Sequence, residues 1–133
     1  MAKYVNPLAL TGGLDWIDAN VDKIVIVKNY VAGDSYATVT GGTNIIAEVT
    51  GGDVVLTISD GATTNSKKIV SSAKSNAAIV NAYSGGGDTH AVWLKTTATT
   101  AVVYATDETS EQTFTVTDLM NIPTITLTYA QPA

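Results

Sequence analysis

An excess of β-branched residues constrains this chain more than any other feature. Twenty-one Thr, fifteen Val and ten Ile stand among its 133 residues. Two substituents on Cβ restrict χ1 and crowd a helical turn, whereas a pleated strand accommodates them. Most of the chain is therefore expected to be strand. Glycine-containing punctuation recurs at Gly12-Gly13, Gly33-Asp34, Gly41-Gly42, Gly51-Gly52-Asp53, Asp60-Gly61 and Gly85-Gly86-Gly87-Asp88. Such clusters mark turns, and short strands at this spacing read as an antiparallel sandwich or barrel. The length suits one domain spanning 1–133, with no internal repeat and no dividing linker.

The N-terminus is the exception. Asn6-Pro7 offers a capping side chain followed by Pro at the first helical position. Leu10, Leu14, Ile17 and Val21 then recur at helical spacing, with Asp15, Asp18 and Asp22 mostly off that stripe. A short helix over about 7–20 is expected. Gly12-Gly13 costs it about 1 kcal/mol per residue against Ala, so packing must hold it.

Next, Lys23-Ile24-Val25-Ile26-Val27-Lys28 is apolar on both faces, as a central strand covered by the helix on one side and core on the other would be. Further strands are expected near 44–49, 54–59, 67–71, 77–82, 89–95, 100–105, 112–116 and 124–129. Two of these alternate cleanly. Phe114 and Val116 oppose Thr113, Thr115 and Thr117; Ile125, Leu127 and Tyr129 oppose Thr124, Thr126 and Thr128. Period-two alternation implies one buried face and one coated with hydroxyls.

Composition excludes several functions. Cysteine is absent, so there is no disulfide framework, thiolate nucleophile or Cys-based metal site. All seven basic residues are Lys, against twelve acidic ones. That balance is poorly suited to a nucleic-acid backbone. No apolar run reaches a membrane span, and residues 1–7 lack the apolar segment of a signal peptide. Cytoplasmic synthesis is expected, with no nucleic-acid or membrane partner.

Candidate chemistry is sparse. Asp88-Thr89-His90 could pair a carboxylate with the only imidazole, but the bland reading is a turn Asp before a strand-initiating His. Gly85-Gly86-Gly87-Asp88 lacks the Lys-Ser/Thr that a phosphate cradle needs. Asp107, Glu108 and Glu111 could offer oxygen ligands to Ca²⁺, yet their spacing fits a solvated acidic turn better. Trp16 and Trp93 read as packing residues. Tyr30, Tyr36 and Tyr83 fall near loops and are candidates for touching a partner subunit. No catalytic, cofactor-binding or metal residue is assigned, and no cofactor is expected.

The order of segments carries a resemblance. A short N-terminal helix containing Val5-Asn6-Pro7-Leu8-Ala9-Leu10 and Leu14-Asp15-Trp16-Ile17 runs into Lys23-Ile24-Val25-Ile26-Val27. Tyr36-Ala37-Thr38 follows, then Thr-rich strands, then Thr89-His90-Ala91-Val92-Trp93-Leu94. Asn121-Ile122-Pro123 precedes a last strand and Gln131-Pro132-Ala133. Over nearly its whole length the chain resembles the tailed-bacteriophage capsid decoration, or cement, proteins. The resemblance implies a jelly-roll-like antiparallel β-sandwich with one short N-terminal helix. It also implies a non-enzymatic virion protein on the capsid exterior, bridging subunits of the major capsid protein lattice. Self-association as a dimer or trimer on the capsid fits this role. It transfers no active-site residue and leaves the capsid-binding surface unknown. Other readings stay open: a tail or head–tail connector subunit, a carbohydrate- or cell-binding β-sandwich, and a hydrolase using a Ser with His90 and Asp88.

Overall fold

The apolar run at 23–28 forms an interior strand, next to the central one, of a five-stranded antiparallel sheet. The computed structural model describes residues 4–5, 7–60, 67–84, 89–108 and 115–129. In chain order the elements are β1 (Tyr4–Val5), α1 (Pro7–Asn20), β2 (Lys23–Lys28), α2 (Tyr36–Thr40), β3 (Ile45–Thr50) and β4 (Leu56–Asp60). They continue with β5 (Lys67–Ser71), β6 (Lys74–Ala78), β7 (Thr89–Lys95), β8 (Ala101–Glu108), β9 (Leu119–Ile122) and β10 (Thr126–Tyr129). The sheets run β1-β8-β7-β2-β3, β10-β5-β4 and β6-β9, and every pairing is antiparallel. The protein is thus mostly β-strand, as its β-branched composition requires.

Strands β2 and β7 are buried on both faces, so their side chains sort into separate clusters. Ile24, Ile26, Ala91, Trp93 and Val103 face the larger one, with Leu14, Ile17 and Val21 of α1 and its C-terminal end and with Ile69. Val25, Val27, Val92, Leu94, Val102 and Ala105 face the other, where Tyr30 and Val39 pack onto them. The helix stripe read from sequence is the packed one at Leu14, Ile17 and Val21. The chain kinks at Gly13 (φ 72°, ψ −169°), a left-handed position that favours Gly.

The second and third sheets are two halves of one bent ribbon. Thr126 pairs with Val70, and Lys74 with Ile122 in the same register. Between them Ser71 faces Ile125: the Ser71 N–H donates to the Ile125 carbonyl at 2.9 Å, and the Ile125 N–H donates to Ser71 Oγ at 3.1 Å. Pairing therefore continues around the corner, with a side-chain oxygen serving as one rung. Strands that bend in this way pass from one layer to another. One half of the ribbon binds β4. The other reaches the five-stranded sheet through a bridge between Ile79 and Ala47 and an N–H of Val80 donated to the Ile46 carbonyl at 2.7 Å. The larger cluster is enclosed between these layers.

Several expectations shift. The strand expected near 77–82 is β6 at Lys74–Ala78, with residues 79–80 bridging onward; Asn76 sits at φ 58° in a bulge, with its N–H on Asn121 Oδ1. The strand near 54–59 begins later, at Leu56, after a 3-10 turn over Gly51–Asp53. Residues 112–114 lie outside the described residues, and 115–118 form a turn instead of a strand. There the Thr115 N–H donates to Asp118 Oδ2 and the Asp118 N–H to the Thr115 carbonyl. This local carboxylate bond competes with strand pairing.

Asp22 ties α1 to the sheet. Its carboxylate accepts the Thr96 N–H at 2.8 Å and the Thr96 hydroxyl at 2.9 Å. Hydrogen bonds to a charged acceptor in a half-buried site are worth more than neutral ones. Asp22→Ala is expected to cost about 1–2 kcal/mol, or about 4–7 °C in Tm by thermal unfolding. An unchanged Tm would show that the pair does not hold the hairpin between β7 and β8.

Candidate interaction face

The outer surface of the β10-β5-β4 sheet is built by the alternation that the sequence displays. Ile58 and Leu127 point inward to the larger cluster, with buried Ile69 between them. Their neighbours therefore point outward. Register sets these neighbours in rows: Thr57, Val70 and Thr126 form one, and Ser59, Lys68 and Thr128 the next. All four hydroxyl residues are exposed. Val55, 51% exposed, and Ser72 extend the face toward the corner, where the Ser72 N–H donates to the Val55 carbonyl at 2.9 Å. Thr124 adds a further exposed hydroxyl.

This face carries a single charge, Lys68, among its described residues. Covering a hydroxyl costs less desolvation than covering an ion, and Thr holds little rotamer entropy compared with Lys or Glu. The other half of the ribbon presents exposed Ala78, Val80 and Leu119 on its outer side, with Ala78 directly opposite Leu119. The ribbon thus offers hydroxyls on one side of its corner and aliphatic groups on the other.

The residues considered for chemistry are placed differently. His90 is 3% exposed on β7, facing the second cluster, with its ring 5.1 Å from that of Tyr30. Asp88 lies outside the described residues. The carboxylate that meets the imidazole belongs instead to Asp107, directly across on β8, with Oδ1 2.5 Å from Nε2. The approach lacks the alignment of a hydrogen bond, and among the described residues neither ring nitrogen has a hydrogen-bond partner. Among the described residues no Ser or Thr hydroxyl bonds the ring. Sequence reasoning grouped Asp107 with Glu108 and Glu111 because the link to His90 depends on cross-strand register.

Asp15 and Asp18 are exposed on α1, and Asp22 bonds Thr96. Among the described residues no group of three or more His, Asp or Glu could hold a metal ion. Gly85-Gly86-Gly87-Asp88 and Glu111 lie outside the described residues. Trp93 is buried and Trp16 packs beside the larger cluster, as packing residues do. Tyr30 and Tyr83 are also buried and pack into the interior, and Tyr36 lies partly buried against the second cluster. Their rigid apolar bodies fill the space under loops, a role that loop position alone did not reveal. Among the described residues no helix is long and apolar enough to cross a membrane.

Comparison with protein-family models, with curated proteins and with solved structures found no match.

Proposed function

We propose that this chain is a non-enzymatic structural protein of a bacteriophage virion, a jelly-roll-like β-sandwich that binds the outside of the capsid and bridges major capsid protein subunits. The observation that carries this reading is the outer face of the β10-β5-β4 sheet, with exposed Thr57, Ser59, Thr126 and Thr128 around a single Lys. A face with little charge can be covered by other proteins without stranding ions. The order of the helix, the apolar strand at 23–28 and the His-led strand at 89–95 supports the same reading through its likeness to decoration proteins.

Many modest contacts, repeated over neighbouring subunits and self-associated copies, give tight attachment through multivalency. Binding the closed shell in preference to the opened one stabilises it by mass action. Heads of the phage that encodes the chain, stripped of it and then re-decorated, should release DNA at a higher temperature than stripped heads. Equal release temperatures overturn the proposal.

The face itself is tested by Thr57→Lys with Thr126→Lys. Exposed substitutions of this kind change stability by about 0.5 kcal/mol or less. Two added charges on the buried side of an interface are expected to weaken co-sedimentation with heads at least about tenfold. Unaltered binding by the folded double variant would remove this face from the reading.

A further inference from the structure

We infer that the outer edge of β10 is the seam of a two-fold dimer, in which β10 pairs antiparallel with β10 of a second copy of this chain. This gives the self-association in the proposed function a place in the fold, and rests on that reading for its use on the shell. An antiparallel strand turns alternate backbone groups to either side. The Ser71 N–H on the Ile125 carbonyl and the Ile125 N–H on Ser71 Oγ fix the phase, so that Ile125 and Leu127 bond toward β5. The N–H and C=O groups of Thr124, Thr126 and Thr128 therefore point away from β5. All three residues are exposed, and among the described residues no strand pairs with that side.

Other edges are guarded. Ile79 and Val80 meet the outer side of β3, β1 lies along β8, and β4 ends on the charged Asp60. The β9 end of the present edge is closed by Pro123, which has no N–H to offer. Residues 124–129 hold no charge, no proline and no register shift. An edge left so is a template for another strand, and its own copy matches it. With Thr126 on the two-fold axis, Thr126 faces Thr126 of the second copy and Thr124 faces Thr128, so each outward donor meets an outward acceptor. Leu127 then stands opposite Ile125 of the second copy, which covers the exposed part of its half-buried side chain. Such Thr and aliphatic pairs favour a sheet, and no like charges meet across the seam. On the outside, the row Thr57, Val70 and Thr126 runs on into the copy's Thr126, Val70 and Thr57, doubling the hydroxyl face. A two-fold seam uses up the edge and admits no third chain there.

A single strand pair buries less than a standard interface, so the dimer is expected to be weak and to grow with concentration between about 10 μM and 1 mM in sedimentation experiments on the full chain. Over that range the Thr126 and Thr128 amides should slow in hydrogen exchange at least about tenfold relative to the Leu127 amide, which already bonds β5. Thr126→Pro deletes an outward N–H and leaves the bonds to β5 in place; it should raise the dissociation constant at least about tenfold, and Thr128→Pro should do the same. Since the chain has no cysteine, Thr126→Cys gives a clean cross-link. Facing residues of a hydrogen-bonded pair lie about 5.5 Å apart at Cα, within the span of a disulfide. Under mild oxidation it should form dimers at least about tenfold faster than Thr57→Cys, exposed on the same outer face three strands from its counterpart. A chain that stays monomeric throughout, a dimer that both proline variants leave intact, or equal cross-linking rates overturns the inference. So does protection of the Thr126 amide that appears only on adding capsid protein, which assigns the edge to a foreign strand. None of these measurements needs heads, so their failure is distinct from a failure of re-decorated heads to hold their DNA.

Discussion

Trp93→Ala is expected to lower the unfolding free energy by about 3–5 kcal/mol, the largest effect of any single truncation considered. Trp93 is fully buried at the centre of β7, between Ile24 on β2 and Tyr104 on β8. Its ring meets that of Tyr104 edge-on, with centroids 5.2 Å apart. Such aromatic pairs add about 0.5–1.5 kcal/mol beyond the area they bury. A domain of this size has a stability of about 5–15 kcal/mol, so the variant loses a large fraction of it. Trp93→Phe makes the interpretation specific. The Trp93 Nε1–H is buried without a hydrogen-bond partner, so Phe removes an unsatisfied donor along with part of the ring. Relieving that donor offsets about 1–3 kcal/mol of the lost packing. Urea unfolding should therefore place Trp93→Phe much nearer the parent than Trp93→Ala. Equal losses would show that the indole N–H is satisfied in solution.

Ser71→Ala is the second large effect, at about 1–3 kcal/mol. Ser71 is 1% exposed and Ile125 is 4% exposed, so bulk water does not replace the lost oxygen. The Ile125 N–H is then orphaned at the one place where the ribbon turns from layer to layer. Ser71→Thr keeps the hydroxyl and should lose less, unless its added methyl overfills the corner. Chemical denaturation gives the energies, and amide exchange at Ile125 gives the location. If Ser71→Ala is as stable as the parent and Ile125 keeps its protection, the corner is held by backbone pairing alone.

The same elements show how far sequence reasoning reached. The strands at Lys23–Lys28 and Thr89–Lys95 have the bounds expected of them, because continuous apolar runs flanked by Lys or turn residues leave few alternatives, and Lys67–Ser71 also has its expected bounds. The alternation of Thr124, Thr126 and Thr128 with Ile125 and Leu127 did forecast an outer hydroxyl face. Helix α2 was missed, since Tyr36-Ala37-Thr38-Val39-Thr40 has weak helix propensity and depends on Ser35 Oγ capping the Thr38 N–H. Strand β6 was displaced because the left-handed residue Asn76 interrupts its pattern. Strand β9 at Leu119–Ile122 is too short to show a period by itself.

The candidate face was legible only in part. That the threonines of β10 lie outside could be read along one strand. That they line up with Thr57 and Ser59 across Val70 and Lys68 could not, because β10 is far in sequence from β4 and β5. The contact of His90 with Asp107 was hidden for the same reason and by the register shift between Trp93 and Leu94.

By itself, then, the sequence determined a chain rich in strand, with one N-terminal helix, an interior strand apolar on both sides and hydroxyls on an outward surface. Those properties are local: χ1 crowding, side-chain period and turn residues act within a few positions. Only the tertiary structure decided which strands are neighbours, where the ribbon bends at Ser71 and Ile125, and which carboxylate meets His90. Those depend on pairing register and on burial against distant segments, for which no residue carries a signal until the chain has closed on itself.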